Sequence, residues 1–370
     1  MNVDMADLNP DVYWTVDNVN YGRKVDALRA SYRNEQSHIT FNYYNSAFAR
    51  YDWTTEPSAS FEELSALRAH QLRDNNKYIR IWYSGGADSH TMLQAFIGNG
   101  IHIDEIVIVR ASPIDDFETR ANNESNLRAI PYIQSIRHSI PRTRVSIVNV
   151  TADHYLDMYK NNSDWQTEVT IQDFANDPCI LLGSREGIDR YTQLTMNANI
   201  TELTGNDKPK LLRKDGQYYI GITDSQFNYL YWPSVKEFFL TSEMPELHAK
   251  QCYIWMETLE RLYPDQAQDI THTVYSPELM TKAFRKEWYN CCRTIINYDI
   301  DLGKGWKRIS PKCMIRIKEA QEHNPELLRY YLGAIKELQP SVSHYWDDFD
   351  SAITGVLAGI YTFGPYNKNN

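Results

Sequence analysis

The sequence predicts an α/β fold: a doubly wound parallel sheet followed by a helical C-terminal region. Three observations predict it. Short apolar runs alternate with stretches of helical periodicity from residue 60 to residue 204. A glycine turn, Tyr83-Ser84-Gly85-Gly86-Ala87-Asp88-Ser89, joins the first of these runs to the helix after it. Beyond about residue 234 the pattern is helical, with Leu247, Ile254, Trp255, Leu259 and Leu262 on one face.

Residues 1–58 carry Tyr13, Trp14, Tyr43, Tyr44, Phe48, Tyr51 and Trp53 with weak periodicity, and read as an extension packed on the domain that follows. Ser60-Phe61-Glu62-Glu63 is a capping box, so a helix starts there and ends near Asn75-Asn76. Tyr78 to Tyr83 is a short apolar run that reads as a buried strand. Met92, Leu93, Phe96 and Ile97 give the next helix one apolar face, and Gly98-Asn99-Gly100 stops it. Ile106 to Val109 lacks alternation, as expected of a central parallel strand. A helix follows from about Asn122, kinked or divided by Pro131. Val145, Ile147 and Val150 mark a third strand, residues 152–198 read as mostly helical, and Ile200 to Thr204 is a fourth strand. Lys210 to Arg213 and Gln217 to Thr223 form a hairpin around Asp215-Gly216. Pro245, Pro277 and Pro325 each stand at the first position of a helix. The apolar tail Ile353 to Tyr361 is expected to dock, and Tyr366 to Asn370 to fray. The expected division is 1–58, 59–233 and 234–370.

A net charge of −10 disfavours wholesale wrapping of nucleic acid. Residues 281–318 depart from it, with ten Lys and Arg against three acids. They read either as a solvated helical face or as a seat for a phosphorylated or nucleic-acid substrate. Five cysteines without Cys-x-x-Cys spacing and a polar, acidic N-terminus suggest free thiols in a reducing cytoplasm. No apolar run approaches the length needed to span a bilayer, so no membrane partner is expected. The ten histidines show no zinc spacing, and Cys291-Cys292 reads as a pair of small buried hydrophobes.

The glycine turn is the informative stretch. A strand, a tight turn and a helix start leave backbone N–H groups pointing outward, where the helix dipole adds positive charge. Gly85 and Gly86 permit close approach of a ligand. Ser84 and Ser89 add hydroxyls, and Asp88 adds a carboxylate able to order the turn or to hold Mg²⁺ against phosphate oxygens. No Walker A spacing is present.

Ser84-Gly85-Gly86-Ala87-Asp88-Ser89 after a strand resembles the pyrophosphate loop of the PP-loop ATP pyrophosphatases, the superfamily of asparagine synthetase, GMP synthetase and NAD synthetase. The resemblance implies a five-stranded parallel sheet of the HUP type, with ATP and Mg²⁺ as cofactors. It implies that Ser84, Gly85, Gly86, Asp88 and Ser89 hold the pyrophosphate, with Arg110 as a nucleotide contact at the end of the second strand. Gly205-Asn206-Asp207-Lys208 ends the fourth strand on the same sheet edge. By resemblance Gly205 belongs to the nucleotide site, Asp207 joins Asp88 as a metal ligand, and Lys208 balances the leaving charge beside Asp88 in catalysis. Asp224 is a weaker carboxylate candidate. The overall arrangement most resembles the asparagine-synthetase-like PP-loop proteins of large tailed bacteriophages. No glutaminase domain is expected, since the second residue is Asn2 rather than a nucleophilic cysteine.

The implied activity is adenylylation of a carboxylate, amide or base oxygen, releasing pyrophosphate and preparing nitrogen transfer. Three other readings fit the same loop. A nucleobase-modifying enzyme would use residues 281–318 on a polymer. A sulfur-transfer enzyme would need one essential cysteine. A non-catalytic ATP or AMP sensor would bind without turnover. The acceptor and the oligomeric state are not written in the sequence.

Overall fold

The computed structural model of the chain describes residues 10–22, 27, 30, 39–111, 124–150, 199–205, 211–214, 217–223, 235–262 and 357–365. Among them no helix is long and apolar enough to cross a membrane.

Five strands form one all-parallel sheet: β4 (Tyr78–Trp82), β5 (Glu105–Ala111), β6 (Arg144–Val150), β7 (Ile200–Thr204) and β10 (Val235–Glu237). Their spatial order is β10-β7-β4-β5-β6. Three of the four expected runs match their strands closely, and the run at 106–109 is the middle of the longer β5. The fifth strand, β10, falls where helical pattern was expected to begin. Three residues are too few to display a period, and Phe238, Phe239 and Leu240 behind it are fully buried and blur the boundary.

Helix α2 (Phe61–Asn75) begins at the expected capping box, with the Ser60 hydroxyl accepting from the Glu63 amide at 3.1 Å and the Ser60 amide donating to the Glu63 carboxylate at 2.7 Å. Helix α3 (Ala87–Ile97) buries Met92, Leu93 and Phe96 in a core shared with Ile79, Ile81, Ile106 and Ile108. Before Pro131 the next helix changes type without a break. A π-helical turn, Ser125–Ala129, precedes α4 (Ile130–Ser135). A proline ring clashes with the carbonyl four residues back, and a wider turn relieves that contact. Helix α5 (Pro245–Leu262) starts at its proline and buries Leu247, Cys252, Trp255 and Leu259. Ile254 and Leu262 are only partly covered, so the buried face is rotated from the expected one.

The described part of the N-terminal arm holds a small antiparallel sheet. Strands β1 (Val12–Val16), β2 (Val19–Tyr21) and β3 (Ile39–Tyr43) pair in the order β2-β1-β3. Val12, Trp14 and Val16 alternate inward, and Asp17-Asn18 turns the chain with φ of 50° and 65°, the backbone of a type I′ hairpin. A short helix, α1 (Asn45–Phe48), follows. The expected hairpin is β8 (Leu211–Lys214) with β9 (Gln217–Thr223). The docked tail is β11 (Leu357–Pro365), antiparallel to β9. Aromatic rings join these parts: Tyr361 stacks on Trp53 at 5.5 Å, and Phe363 lies 4.2 Å from Tyr253 of α5. The Tyr43 hydroxyl donates to the Leu240 carbonyl at 2.7 Å, which fastens the arm to the segment after β10.

One face of the sheet carries charge. Arg80 of β4 bridges Glu105 of β5 at 2.8 Å and Glu202 of β7 at 2.6 Å, and all three are at most 2 % exposed. Glu105 also accepts from Ser146 at 2.6 Å and Tyr78 at 3.2 Å, with Arg144 at 3.4 Å. Glu202 accepts from the Trp82 indole at 2.7 Å. Burial pulls both carboxyls upward. At Glu105 the Ser146 hydroxyl and the two guanidiniums outweigh it, and the group lies below its ordinary range. Glu202 has fewer partners, and burial pushes it up to about 7.

That asymmetry has a pH signature. A carboxyl held up to about 7 against an ordinary 4.5 stabilises the fold fully below the unfolded value, and the stabilisation is lost as pH rises through about 7. The shift corresponds to roughly 3 kcal/mol. Thermal melts at pH 5, 6, 7 and 8 should show wild type losing ground to Glu202→Gln as pH rises. A constant difference across that range would remove the charge asymmetry from the account.

Candidate functional site

The site is built where β4 and β7 lie side by side. From β4 the chain runs to β5 on one side, whereas β7 and β10 lie on the other. Adjacent strands whose connections diverge open a crevice at their carboxyl ends, and ligands of open α/β sheets bind there. Ser84–Ser89 and Gly205, the described start of the second stretch, leave the sheet at this point.

The turn after β4 is fixed from below and from the side. Tyr83 is buried, its amide donates to Val107 at 2.8 Å, and its hydroxyl meets His90 Nδ1 at 3.2 Å. The His90 ring stands edge-on to Tyr132 of α4 at 4.7 Å. Burial pushes His90 down to about 3, so it is a neutral hydrogen-bonding prop rather than a charge.

Ser84 and Ser89 act mainly on the turn itself. Their hydroxyls lie 3.0 Å apart. Ser89 Oγ accepts from the Ser84 amide at 3.3 Å and donates to the Gly86 carbonyl at 3.2 Å, while Ser84 Oγ accepts from the Gly86 amide at 3.1 Å. The two serines therefore set the shape of the cradle, and Ser84 remains exposed at its rim.

The glycines are required by contact. Gly85 has φ +81°, and a Cβ on it would stand 2.8 Å from the Ala129 amide nitrogen and 2.9 Å from the Glu124 carbonyl. The π-helical turn is thus seated directly against Gly85. A Cβ on Gly86 would meet the Ser84 hydroxyl at 3.2 Å and the Glu124 carboxylate at 3.7 Å. Gly205 closes the other side. A Cβ there would lie 3.0 Å from Ser89 Cα and 3.1 Å from the Asp88 carbonyl. Only glycine lets the end of β7 touch the first turn of α3.

Gly86 is the N-cap of α3 and offers no side chain to the first-turn amides. Among the described residues the amides of Gly85 and Ala87 have no hydrogen-bond partner. The helix start therefore offers unpaired amides and partial positive charge from the dipole, with the Glu124 carboxylate beside Gly86. Asp88 stands in the first turn, half-exposed.

The structure brings Ser84, Gly85, Gly86, Asp88, Ser89 and Gly205 together. Arg110 is one strand away, near the end of β5 opposite Asn149. Asp207, Lys208, Asp224 and residues 281–318 lie outside the described residues. Among the described residues no group of three His, Cys, Asp or Glu converges to hold a metal ion. Sequence reasoning missed the partner of the loop altogether. Ser125 donates to the Val109 carbonyl at 3.0 Å, and the turn it anchors sets Glu124 and Ala129 against Gly85. No local signal marks a contact made across 40 residues of chain.

No known family's sequence profile matches this chain, and no curated protein aligns with it as a relative.

Proposed function

We propose that the chain is a PP-loop ATP pyrophosphatase of the HUP-type fold, an ATP-dependent adenylylating enzyme that forms AMP and pyrophosphate. The observation that carries this reading is the fit of Gly205 against Asp88 and Ser89, which places two glycine-shaped strand ends around the open start of α3 at the sheet's switch point. That cradle suits the oxygens of a pyrophosphate, which need close backbone approach and N–H donors.

The amides of Gly85 and Ala87 would face the phosphate oxygens. Ser84 and Ser89 hold the turn in the shape that aims them. Asp88 in the first turn of α3 would repel a bare polyphosphate, so its carboxylate suits a bound Mg²⁺, which neutralises charge on the phosphates. By resemblance, Asp207 would be a second ligand and Lys208 would balance the charge of the leaving group. An oxygen of the acceptor attacks the α-phosphorus, the bond to the bridging oxygen breaks, and pyrophosphate leaves with its electron pair. A nitrogen nucleophile then displaces AMP from the activated acceptor, as in the asparagine-synthetase-like branch. The chain would work in the cytoplasm, that of the host if it is phage-encoded.

Incubation with α-labelled ATP, Mg²⁺ and a host or phage extract should yield labelled AMP and a labelled adduct together with pyrophosphate. Asp88→Ala should lower the rate of AMP formation by about a hundredfold to a thousandfold, the range for removing an electrostatic contact to a reacting group, and Ser84→Ala should lower it by loosening the turn. Unchanged AMP formation in both variants would remove the site assignment. Labelled ADP in place of AMP would remove the reaction class.

A further inference from the structure

We infer that Arg128 is a phosphate-binding side chain of the glycine-turn site, gripping the pyrophosphate portion of the nucleotide through its guanidinium fork. This rests on the proposed nucleotide site and adds to it a residue outside the Ser84–Ser89 and Gly205–Lys208 stretches. Arg128 stands on the π-helical turn Ser125–Ala129, immediately before the Ala129 amide that abuts Gly85. Interruptions of this kind inside helices gather at functional sites, because the wider turn displaces a side chain from the regular helical face.

The guanidinium is in an unusual condition. Arg128 is half-buried, its Nε is fully buried with no hydrogen-bond partner, and among the described residues it makes no hydrogen bond or ion pair. Glu124, four residues earlier, is the natural helical partner, yet its carboxylate lies beside Gly86 instead. A buried Nε without a hydrogen-bond partner is shared by Arg68 and Arg110, but Arg68 itself and two other arginines of the sheet domain have ion-pair partners. Arg68 reaches Glu243 at 2.6 Å, Arg73 reaches Asp104 at 2.6 Å, and Arg80 bridges two glutamates. Leaving an arginine partly desolvated and unpaired costs stability, and such a cost persists where a ligand supplies the missing partner.

Its position tells which ligand. The charge of Arg128 is felt at the buried Tyr83 phenol, two residues before Gly85, and partly offsets the upward pull of burial there. The Arg128 backbone lies on the π-helical turn whose next residue, Ala129, packs on Gly85. A planar fork of N–H donors matches adjacent phosphate oxygens in bidentate geometry. The open amides of Gly85 and Ala87 present donors to the same anion from the backbone.

Calorimetric titration of inorganic pyrophosphate, and separately of ATP with Mg²⁺, into the full chain tests this. Wild type should bind both. Arg128→Gln should bind pyrophosphate about tenfold or more weakly, and Arg128→Lys should fall between the two, since charge is kept and the fork is lost. The salt dependence of pyrophosphate binding should be shallower in Arg128→Gln than in wild type, a change that a purely structural arginine would not produce. The melting temperature of Arg128→Gln should equal or exceed that of wild type, because an unpaired, partly desolvated charge is removed. If Arg128→Gln fails to fold, Arg128→Lys decides by its affinity and salt slope. Wild-type binding with both variants within twofold overturns the role of Arg128 and leaves the nucleotide site standing. Failure of wild type to bind either ligand overturns both.

Discussion

Arg80→Met is expected to destabilise the fold by about 3–5 kcal/mol, the cost of removing one partner from a buried ion pair. Arg80 is the cation between two carboxylates of adjacent strands, and its loss leaves Glu105 and Glu202 facing each other across β4 in a medium that solvates neither. Glu105 keeps Ser146, Tyr78 and Arg144, whereas the described partner left to Glu202 is the Trp82 indole. The expected damage thus centres on β4 and β7, the two strands that hold the cradle. A surface pair provides the contrast. Lys236, 3.1 Å from a Glu243 that is 41 % exposed and also held by Arg68, should contribute under about 1 kcal/mol, read from Lys236→Met. Urea unfolding followed by circular dichroism checks the difference through the transition midpoint. Neutralising both carboxylates in the Arg80→Met background, with Glu105→Gln and Glu202→Gln, should restore much of the loss, because the penalty comes from unpaired charge rather than from lost packing. A midpoint for Arg80→Met equal to that of wild type would contradict the assignment.

Gly85→Ala is expected to abolish nucleotide and pyrophosphate binding and to cost more than about 2 kcal/mol of stability. Two effects combine. At φ +81° an alanine is strained whatever the space, by about 1–2 kcal/mol. Its Cβ would also stand 2.8 Å from the Ala129 nitrogen and 2.9 Å from the Glu124 oxygen, both backbone atoms that cannot swing away. The turn must part from the π-helical segment, which moves the amides of the seat. Gly86→Ala separates shape from stability. Gly86 has φ −73°, and its Cβ would meet only side-chain oxygens, the nearest at 3.2 Å. That variant should melt close to wild type while still binding pyrophosphate more weakly, because the methyl group covers the cradle. Comparable melting and comparable affinity in both variants would show that the turn is not a ligand seat.

Much of this was legible in the sequence. The strand, turn and helix around Ser84–Ser89 follow from apolar runs, two glycines and a helical face, and the Ser60 capping box is a local pattern with local geometry. The hairpin at Leu211–Thr223 and the docked tail were readable for the same reason. Two features escaped because the period is short. Val12-Tyr13-Trp14-Thr15-Val16 alternates, and Asp17-Asn18 is a hairpin signal, yet the density of aromatic residues around them masked the pattern. β10 has only three residues, and its place in the sheet is set by pairing with β7 rather than by its own composition. The charged face could not be read at all. Arg80 sits inside a run of apolar residues, and its partners Glu105 and Glu202 are 25 and 122 positions away. In the candidate site the cradle's own residues were legible, because glycines and serines at a helix start have a local meaning. The wall made by Glu124 and Ala129 was not, because a tertiary contact with Gly85 places it there.

Competition between inorganic pyrophosphate and ATP, followed as displacement of a fluorescent ATP analogue in the presence of Mg²⁺, tests the glycine-turn site most directly. The expected result is one-to-one displacement by pyrophosphate in wild type, with neither ligand bound by Gly85→Ala. Retention of the analogue at saturating pyrophosphate, or undiminished binding of both ligands by Gly85→Ala, would place the nucleotide elsewhere and contradict the account.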